Sequence, residues 1–234
     1  MKSGKNVDYR LVSYLLAGVV KWYTRSTQNR LPKGVGVQVS PPALYNINMI
    51  ANKCDHAYIL GVALGDGNLS NPNGRAIRLR ITCDKKYPNL IEHINNKLKC
   101  VLPKNKTSFI DRKNALDICC YSNKLSDILG WSVGSKKSQN AHIPEWIMKS
   151  EKYSRECLRG LLQTDGSIYL DRGYPMVNFT TIIKPLAEDV KNIILFLGYK
   201  PQVRYVKHSN KSKYIIRISK NVTEFINEID LWKN

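Results

Sequence analysis

The chain has 234 residues, which suits one domain of duplicated halves or two small domains, and 43% of them are apolar, enough for a core. Lys and Arg number 37 against 18 Asp and Glu, a formal net charge of +19 that points to a polyanionic partner. No run approaches the roughly 18 consecutive apolar residues of a membrane helix, and no basic amphipathic helix stands out, so nucleic acid leads over a membrane surface.

Residues 1–48 differ from the rest. They carry 7 Lys and Arg against 1 Asp or Glu, lack periodicity and include the Pro/Gly-rich stretch Leu31–Ala43, so they read as an irregular extension. Leu11–Val20 is partly apolar, but Ser13 and Tyr14 interrupt it and no small-residue cleavage site follows, against a signal peptide. Ala17–Ala43 can be back-translated into a transfer-RNA gene, with codons for Ala17–Val19 pairing those for Pro41–Ala43 as an acceptor stem does. That places the functional start of translation at Met49. The six cysteines, Cys54, Cys83, Cys100, Cys119, Cys120 and Cys157, form no Cys-x-x-Cys pair, and the histidines complete no zinc pattern. Free thiols in a reducing cytoplasm, with access to DNA, are expected.

From Met49 onward the chain reads as two copies of one unit, 49–148 and 149–234. In the first, a helix ends at Asp66-Gly67. Ala76–Thr82 then alternates as a half-buried strand, with Ile77, Leu79 and Ile81 on one face and Arg78 and Arg80 on the other. Pro88 precedes Leu90, Ile91, Ile94 and Leu98 at helical spacing. Phe109–Asp111 and Leu116–Tyr121 fit a hairpin turning at Arg112-Lys113-Asn114. Gly134–Asn140 reads as the linker. In the second unit a helix ends at Asp165-Gly166, and Pro175–Thr181 reads as a strand. Pro185 opens a helix bearing Leu186, Val190, Ile193, Ile194 and Leu197, with Gly198 as its stop. Val203–Lys207 and Lys213–Ser219 fit a second hairpin, and Glu224–Ile229 a last helix. The order predicts an α+β fold, with one further strand possible after each Asp-Gly.

The two Asp-Gly helices carry the chemistry. Gly61 and Gly65 lie four apart on one, Gly160 and Thr164 on the other, so each presents a small-residue face on which two helices can approach closely. Asp66 and Asp165 then stand at the negative ends of their helix dipoles, unfavourable by roughly 0.3–1 kcal/mol each when exposed, and repel one another. Gly67 and Gly166 are expected as left-handed caps. A divalent cation turns this arrangement into a site. The two carboxylates and the free terminal carbonyls of Gly65 and Thr164 are hard oxygen ligands suited to Mg²⁺, with phosphate and water completing the shell.

Ile59–Gly67 and Leu158–Gly166, with His142-Ile-Pro-Glu-Trp146 upstream and Thr181–Asp189 downstream, resemble the LAGLIDADG homing endonucleases over about residues 54–229. The resemblance implies a monomer of two αββαββα halves with the motif helices at a pseudo-two-fold interface. It also implies a saddle of antiparallel strands on double-stranded DNA, and Mg²⁺-dependent cleavage of both strands to 5′-phosphate and 3′-hydroxyl ends. Asp66 and Asp165 would hold the metal, and Lys85 (or Lys86) and Lys184 would support the water network. The sequence departs from the family at Leu64 and Gln163, where an acidic residue is common; Gln163 is expected to face solvent. From strand faces, Arg78, Arg80, Arg204, Lys207 and Arg217 are candidates to read base edges. Arg112, Lys113, Lys211 and Lys213, near the turns, are candidates to meet phosphates. Two rivals share the scaffold: an intron RNA-splicing maturase and a non-cleaving DNA-binding regulator. An intein is disfavoured, because neither Met1 nor Leu231–Asn234 supplies splicing residues.

Overall fold

The structure, a computed structural model, describes residues 52–208 and 211–233; the expected extension 1–48 lies outside them. The first half runs α1 (Lys53–Gly65), β1 (Gly67–Ser70), β2 (Arg78–Asp84), α2 (Pro88–Val101), β3 (Thr107–Asp111), β4 (Ala115–Tyr121) and α3 (Leu125–Leu129). A short α4 (Glu145–Met148) leads to α5 (Glu151–Asp165), β5 (Gly166–Asp171), β6 (Tyr174–Thr181), α6 (Lys184–Phe196), β7 (Gln202–His208), β8 (Lys211–Ile218) and α7 (Val222–Glu228). This is the expected α+β architecture, and the strand after each Asp-Gly is present.

The sheets are antiparallel and wound alike, β1-β2-β4-β3 and β5-β6-β8-β7. Equivalent registers reveal the duplication: Gly67 faces Ile81, which faces Ile118, and Gly166 faces Phe179, which faces Ile216. Leu79, Ile81 and Ile118 in one sheet, and Val177, Phe179, Ile216 and Ile218 in the other, are buried against helices. Period-2 alternation therefore turns Arg80 and Asp117, and Asn178 and Arg217, to the opposite, open faces. Leu90, Ile91, Ile94 and Leu98 of α2, and Leu186, Val190, Ile193 and Ile194 of α6, are buried as their spacing required.

Helix α1 begins where the Asn52 side chain accepts the Cys54 amide (2.9 Å). It is apolar on nearly all sides and buried from Asp55 to Leu64, the mark of a central helix. Its partner is α5. A methyl group at Gly61 would sit 2.0 Å from the Cys157 carbonyl oxygen, and one at Gly160 would sit 2.3 Å from that of Tyr58. The contacts are reciprocal: Gly61 meets residue 157, four before Leu161, and Gly160 meets residue 58, four before Val62. Such reciprocity is what a two-fold axis produces. Thr164 fills the corresponding space at Gly65, where a methyl carbon would lie 2.1 Å from its hydroxyl oxygen.

Two expectations change. Gly67 and Gly166 are not left-handed caps; they open β1 and β5, and Gly166 has φ −86° and ψ 157°. They are needed for space, because a Cβ would lie 2.5 Å from the Ala63 carbonyl oxygen at Gly67 and 2.4 Å from that of Leu162 at Gly166. The left-handed caps fall instead at Gly130 after α3 and at Gly198 after α6. The stretch Gly134–Asn140 is also more than a linker. Gln139 ties it to the Ser132 amide (2.8 Å) and carbonyl (3.0 Å), folding it against the first half.

Because the Gly61 contact is backbone to backbone, no rotamer can relieve an added methyl. Gly61→Ala should lower stability by about 3 kcal/mol, read as a fall in the urea midpoint at constant m-value.

Candidate functional site

The paired helices end together. Asp66 caps α1, its amide reaching the Val62 carbonyl (3.0 Å), and Asp165 is the last residue of α5. A Cβ on Gly65 would lie 3.5 Å from the Asp165 carboxyl carbon, so the second acid reaches across to the end of the first helix. Both acids open to solvent on one side. Among the described residues, neither carboxylate has a hydrogen bond or an ion pair. Burial of their inner sides, with the Asp165 charge added, raises the Asp66 carboxyl to about 6. Burial raises Asp165 also, and the Lys136 and Lys233 charges oppose both shifts.

Those two lysines escaped the sequence reading. Lys136 Nζ donates to the carbonyls of Ala63 (3.1 Å), Leu64 (2.6 Å) and Gly65 in α1's last turn. Lys233 Nζ donates to the Gly166 carbonyl (2.6 Å) and the Thr164 carbonyl (3.4 Å). Each ammonium thus meets a negative helix end directly and acts on the two carboxylates through its charge. Burial pulls both lysines below their ordinary pKa, against the raising effect of the two aspartates. Each follows the last helix of its half, α3 or α7. That shared placement is the signal available in the sequence, and it had been read as a linker and as a chain end.

The lysines chosen from sequence stand elsewhere. Lys85 pairs with Asp111 at the β3 end, and Lys184 pairs with Glu188 (3.7 Å) one turn on along α6. Lys85 follows the end of β2 and Lys184 opens α6, and each is engaged by an acid other than Asp66 or Asp165. Lys86, held by Asp84 (2.9 Å), does line the pocket beside Asp66, with Cys83, Tyr87, Gln163, Thr164 and Lys233. Gln163 is not at solvent. It is 2% exposed, accepts the Tyr58 hydroxyl (2.7 Å) and donates to the Trp232 carbonyl (3.0 Å).

The residues present fit a hard cation. Among the described residues no group of three or more His, Cys, Asp or Glu forms a cage. The Gly65 and Thr164 carbonyls, expected as ligands, already accept from lysines. A divalent ion would therefore rest on Asp66 and Asp165, leaving most of its shell to water and phosphate, the arrangement Mg²⁺ favours.

The open sheet faces flank this centre. Arg80 approaches the fully buried carboxylate of Asp117 (4.0 Å), which also takes Arg112 (2.6 Å) and the Thr82 hydroxyl (2.8 Å). Those contacts hold Asp117 below the usual carboxylate range despite its burial. Arg78 donates to Ser70 (3.2 Å). In the second sheet Arg217 is held by the Tyr169 hydroxyl, Asn178 (3.4 Å) and Asp171 (3.5 Å). Arg80 and Arg217 share equivalent rungs, Asn68-Arg80-Cys119 and Ser167-Asn178-Arg217, although they lie on different strands. Arg204 and Lys213 also face the open side, and Lys113 is exposed at the β3–β4 turn. Lys207 does not share that face: it pairs with Ser212, and alternation turns it to the side of Tyr205 and Tyr214. Lys211 lies in β8 opposite His208, and its side chain falls outside the described residues.

Two helices carrying acids at their paired ends, with two four-stranded sheets, have parallels among known proteins. The model of the LAGLIDADG-like domain matches residues 152–230. The structure is similar to I-DmoI in complex with DNA and Mn, at TM-score 0.59 and 21% identity over 76% of this chain and 96% of that one. It is similar to I-WcaI bound to its DNA recognition sequence, at TM-score 0.54 and 15% identity over 76% and 81%. It is similar also to the N-terminal LAGLIDADG domain of WhiA, at TM-score 0.53 and 13% identity over 78% and 86%. Across 79 residues the chain is 39% identical to the replicative DNA helicase DnaB of Mycobacterium intracellulare, a match spanning 32% of this chain and 13% of that protein. The chain therefore carries a LAGLIDADG-like domain in its second half and the two-motif LAGLIDADG fold over its described residues.

A carboxyl whose pKa is raised on folding binds its proton more tightly in the folded state, so folding is favoured at low pH and weakened as the group ionises. The metal-free protein should lose stability as pH rises from 3.8, the ordinary value, to about 6. Asp66→Asn should flatten that slope and raise Tm near neutral pH. Mg²⁺ should raise Tm near neutral pH and leave it unchanged in acid, both read by thermal melting.

Proposed function

We propose that this protein is a site-specific, divalent-metal-dependent endonuclease for double-stranded DNA, acting as a monomer inside the cell. One observation carries the reading. Two unpartnered carboxylates are held together where helix dipoles and mutual repulsion oppose them, between two sheets whose open faces bear Arg78, Arg80, Arg204, Lys213 and Arg217. A scaffold without a cation or phosphate to receive would gain stability from amides at Asp66 and Asp165. I-DmoI with DNA and Mn, and I-WcaI with its recognition sequence, are of the same fold and support the assignment.

Two-stranded ribbons fit a major groove; Arg217, held by Tyr169, Asn178 and Asp171, is preorganised to read guanine edges, and Arg80 stands on the equivalent rung. Lys113 and Lys213 meet phosphates. Asp66 and Asp165 would hold a divalent cation, which when bound would lower the pKa of a water and stabilise the leaving oxygen. Lys136 and Lys233 bring positive charge beside the phosphodiester. Hydrolysis leaves a 5′-phosphate and a 3′-hydroxyl.

Cleavage selection on a randomised duplex library with Mg²⁺ tests this reading. The wild-type protein should enrich one sequence. Asp66→Asn and Asp165→Asn should each abolish double-strand cutting while DNA binding persists, and EDTA should abolish it reversibly. Full cutting by the double variant overturns the metal assignment. Lys213→Gln should weaken binding to all duplexes alike and lower the slope of log K against log salt by about 0.9.

A further inference from the structure

The two active-site lysines are anchored by different means. The segment bearing Lys136 is pinned within its own half, by Gln139 on Ser132 and by the Gly134 amide on the Leu69 carbonyl of β1 (3.4 Å). The segment bearing Lys233 is pinned from the motif helices. Gln163 of α5 donates its amide to the Trp232 carbonyl (3.0 Å), immediately before Lys233, and accepts the Tyr58 hydroxyl (2.7 Å) of α1. His93 stands edge-on to both Tyr58 (5.0 Å) and Trp232 (5.4 Å). The Arg159 guanidinium lies over the Tyr58 ring (5.4 Å) and is paired with Asp230 (2.7 Å), three residues before Lys233.

The equivalent position in α1 is Leu64, also 2% exposed. An apolar side chain therefore fits this place in the fold, and bulk does not explain an amide there. A buried amide is tolerated when its donors and acceptor are engaged, and a polar group so engaged fixes one arrangement of its neighbours. Lysine has a flexible four-carbon stem, so where its ammonium sits depends on where its backbone is held. Gln163, Thr164 and Lys233 line one pocket with Asp66, Asp84 and Lys86. Among the described residues α1 reaches the segment before Lys136 through His56 on the Ile128 carbonyl (2.7 Å), eight residues short of the lysine, and Leu64 offers no side-chain amide to tie the residue next to it.

We propose that Gln163 is a positioning residue for Lys233: its hydrogen bonds to Tyr58 and to the Trp232 carbonyl hold that ammonium in the pocket beside Asp66, and cutting of one DNA strand depends on them while cutting of the other does not. The inference rests on the nuclease reading above. It makes the two half-reactions unequal by construction, one lysine being set by contacts within its own half and the other by the interface between the halves.

Single-turnover cleavage of each labelled strand, on a duplex recovered from the randomised library with Mg²⁺, tests it. Gln163→Leu should slow one strand roughly tenfold, the factor expected for one lost positioning hydrogen bond, so that nicked duplex accumulates. The same substitution should add nothing in a Lys233→Met background and multiply with Lys136→Met. Tyr58→Phe with Gln163→Leu replaces the pair by apolar groups of similar shape, and should behave as Gln163→Leu if that single variant folds poorly. In the metal-free protein, amide hydrogen exchange should rise over residues 229–233 and stay unchanged over 130–140 and in α1. Equal slowing of both strands, a full effect in the Lys233→Met background, or unchanged exchange at 229–233 overturns the proposal. Absence of cutting by the wild-type protein overturns the nuclease reading instead, and the exchange measurement then still decides whether Gln163 holds the Lys233 segment.

Discussion

The contact between the α1 and α5 backbones governs the rest of the structure. Gly61 lies on the Cys157 carbonyl and Gly160 on that of Tyr58, so the two helices cross with no side chain between them. That approach brings Asp66 and Asp165 to one place and sets the two sheets on either side of it. It also merges the halves into one continuous apolar core, to which Leu60, Val62, Leu158 and Leu161 all contribute. A wider separation would leave two independent small units, each with a single acid. Two acids at one place exist only because the glycines do.

Electrostatics at the helix ends follow from that geometry. Carboxylates are placed at the negative ends of two dipoles and near each other, and burial adds to the difficulty. The protein meets part of this with its own cations. Lys136 and Lys233 satisfy terminal carbonyls and balance the carboxylates, so the helix ends are stabilised and the site's charge is set by the same two side chains. The acids themselves keep their oxygens free, which is what a site for a cation and phosphate requires. Asp117 shows the contrasting use of an acid: fully buried, it is saturated by Thr82, Arg80 and Arg112, and serves to fix guanidinium groups on the open face.

The halves are copies in topology and not in detail. Equivalent rungs carry Arg80 on β2 in one sheet and Arg217 on β8 in the other, with Cys119 and Asn178 exchanged opposite them. Leu64 and Gln163 differ in the same way on the motif helices. On the proposed reading such differences would let each sheet meet a different half of an asymmetric duplex with the same backbone.

Much of this was legible in the amino-acid sequence. Helix and strand periodicity located the helices over 88–101 and 184–196 and both hairpins, because amphipathic patterns are local and each burial face is written in its own spacing. The repeat of small residues before Asp66 and Asp165 gave the helix pair, because close approach demands absent side chains. What could not be read depended on contacts between distant segments. Lys136 and Lys233 reach helix ends some seventy residues earlier in the chain, and no local pattern marks a lysine for that task. Lys85 and Lys184 looked better placed by position, but they pair with Asp111 and Glu188. Gln163 read as a solvent-facing departure from the motif until the fold set Tyr58 and Trp232 against it. The sequence by itself determined the two acids, the glycines beneath them and the duplicated order of elements, since these obey local sterics and periodicity. Only the tertiary structure decided which cations serve the acids and how the Asp-Gly pairs are used, since packing alone brings residue 136 to residue 65 and turns Gly67 and Gly166 from caps into the first residues of strands.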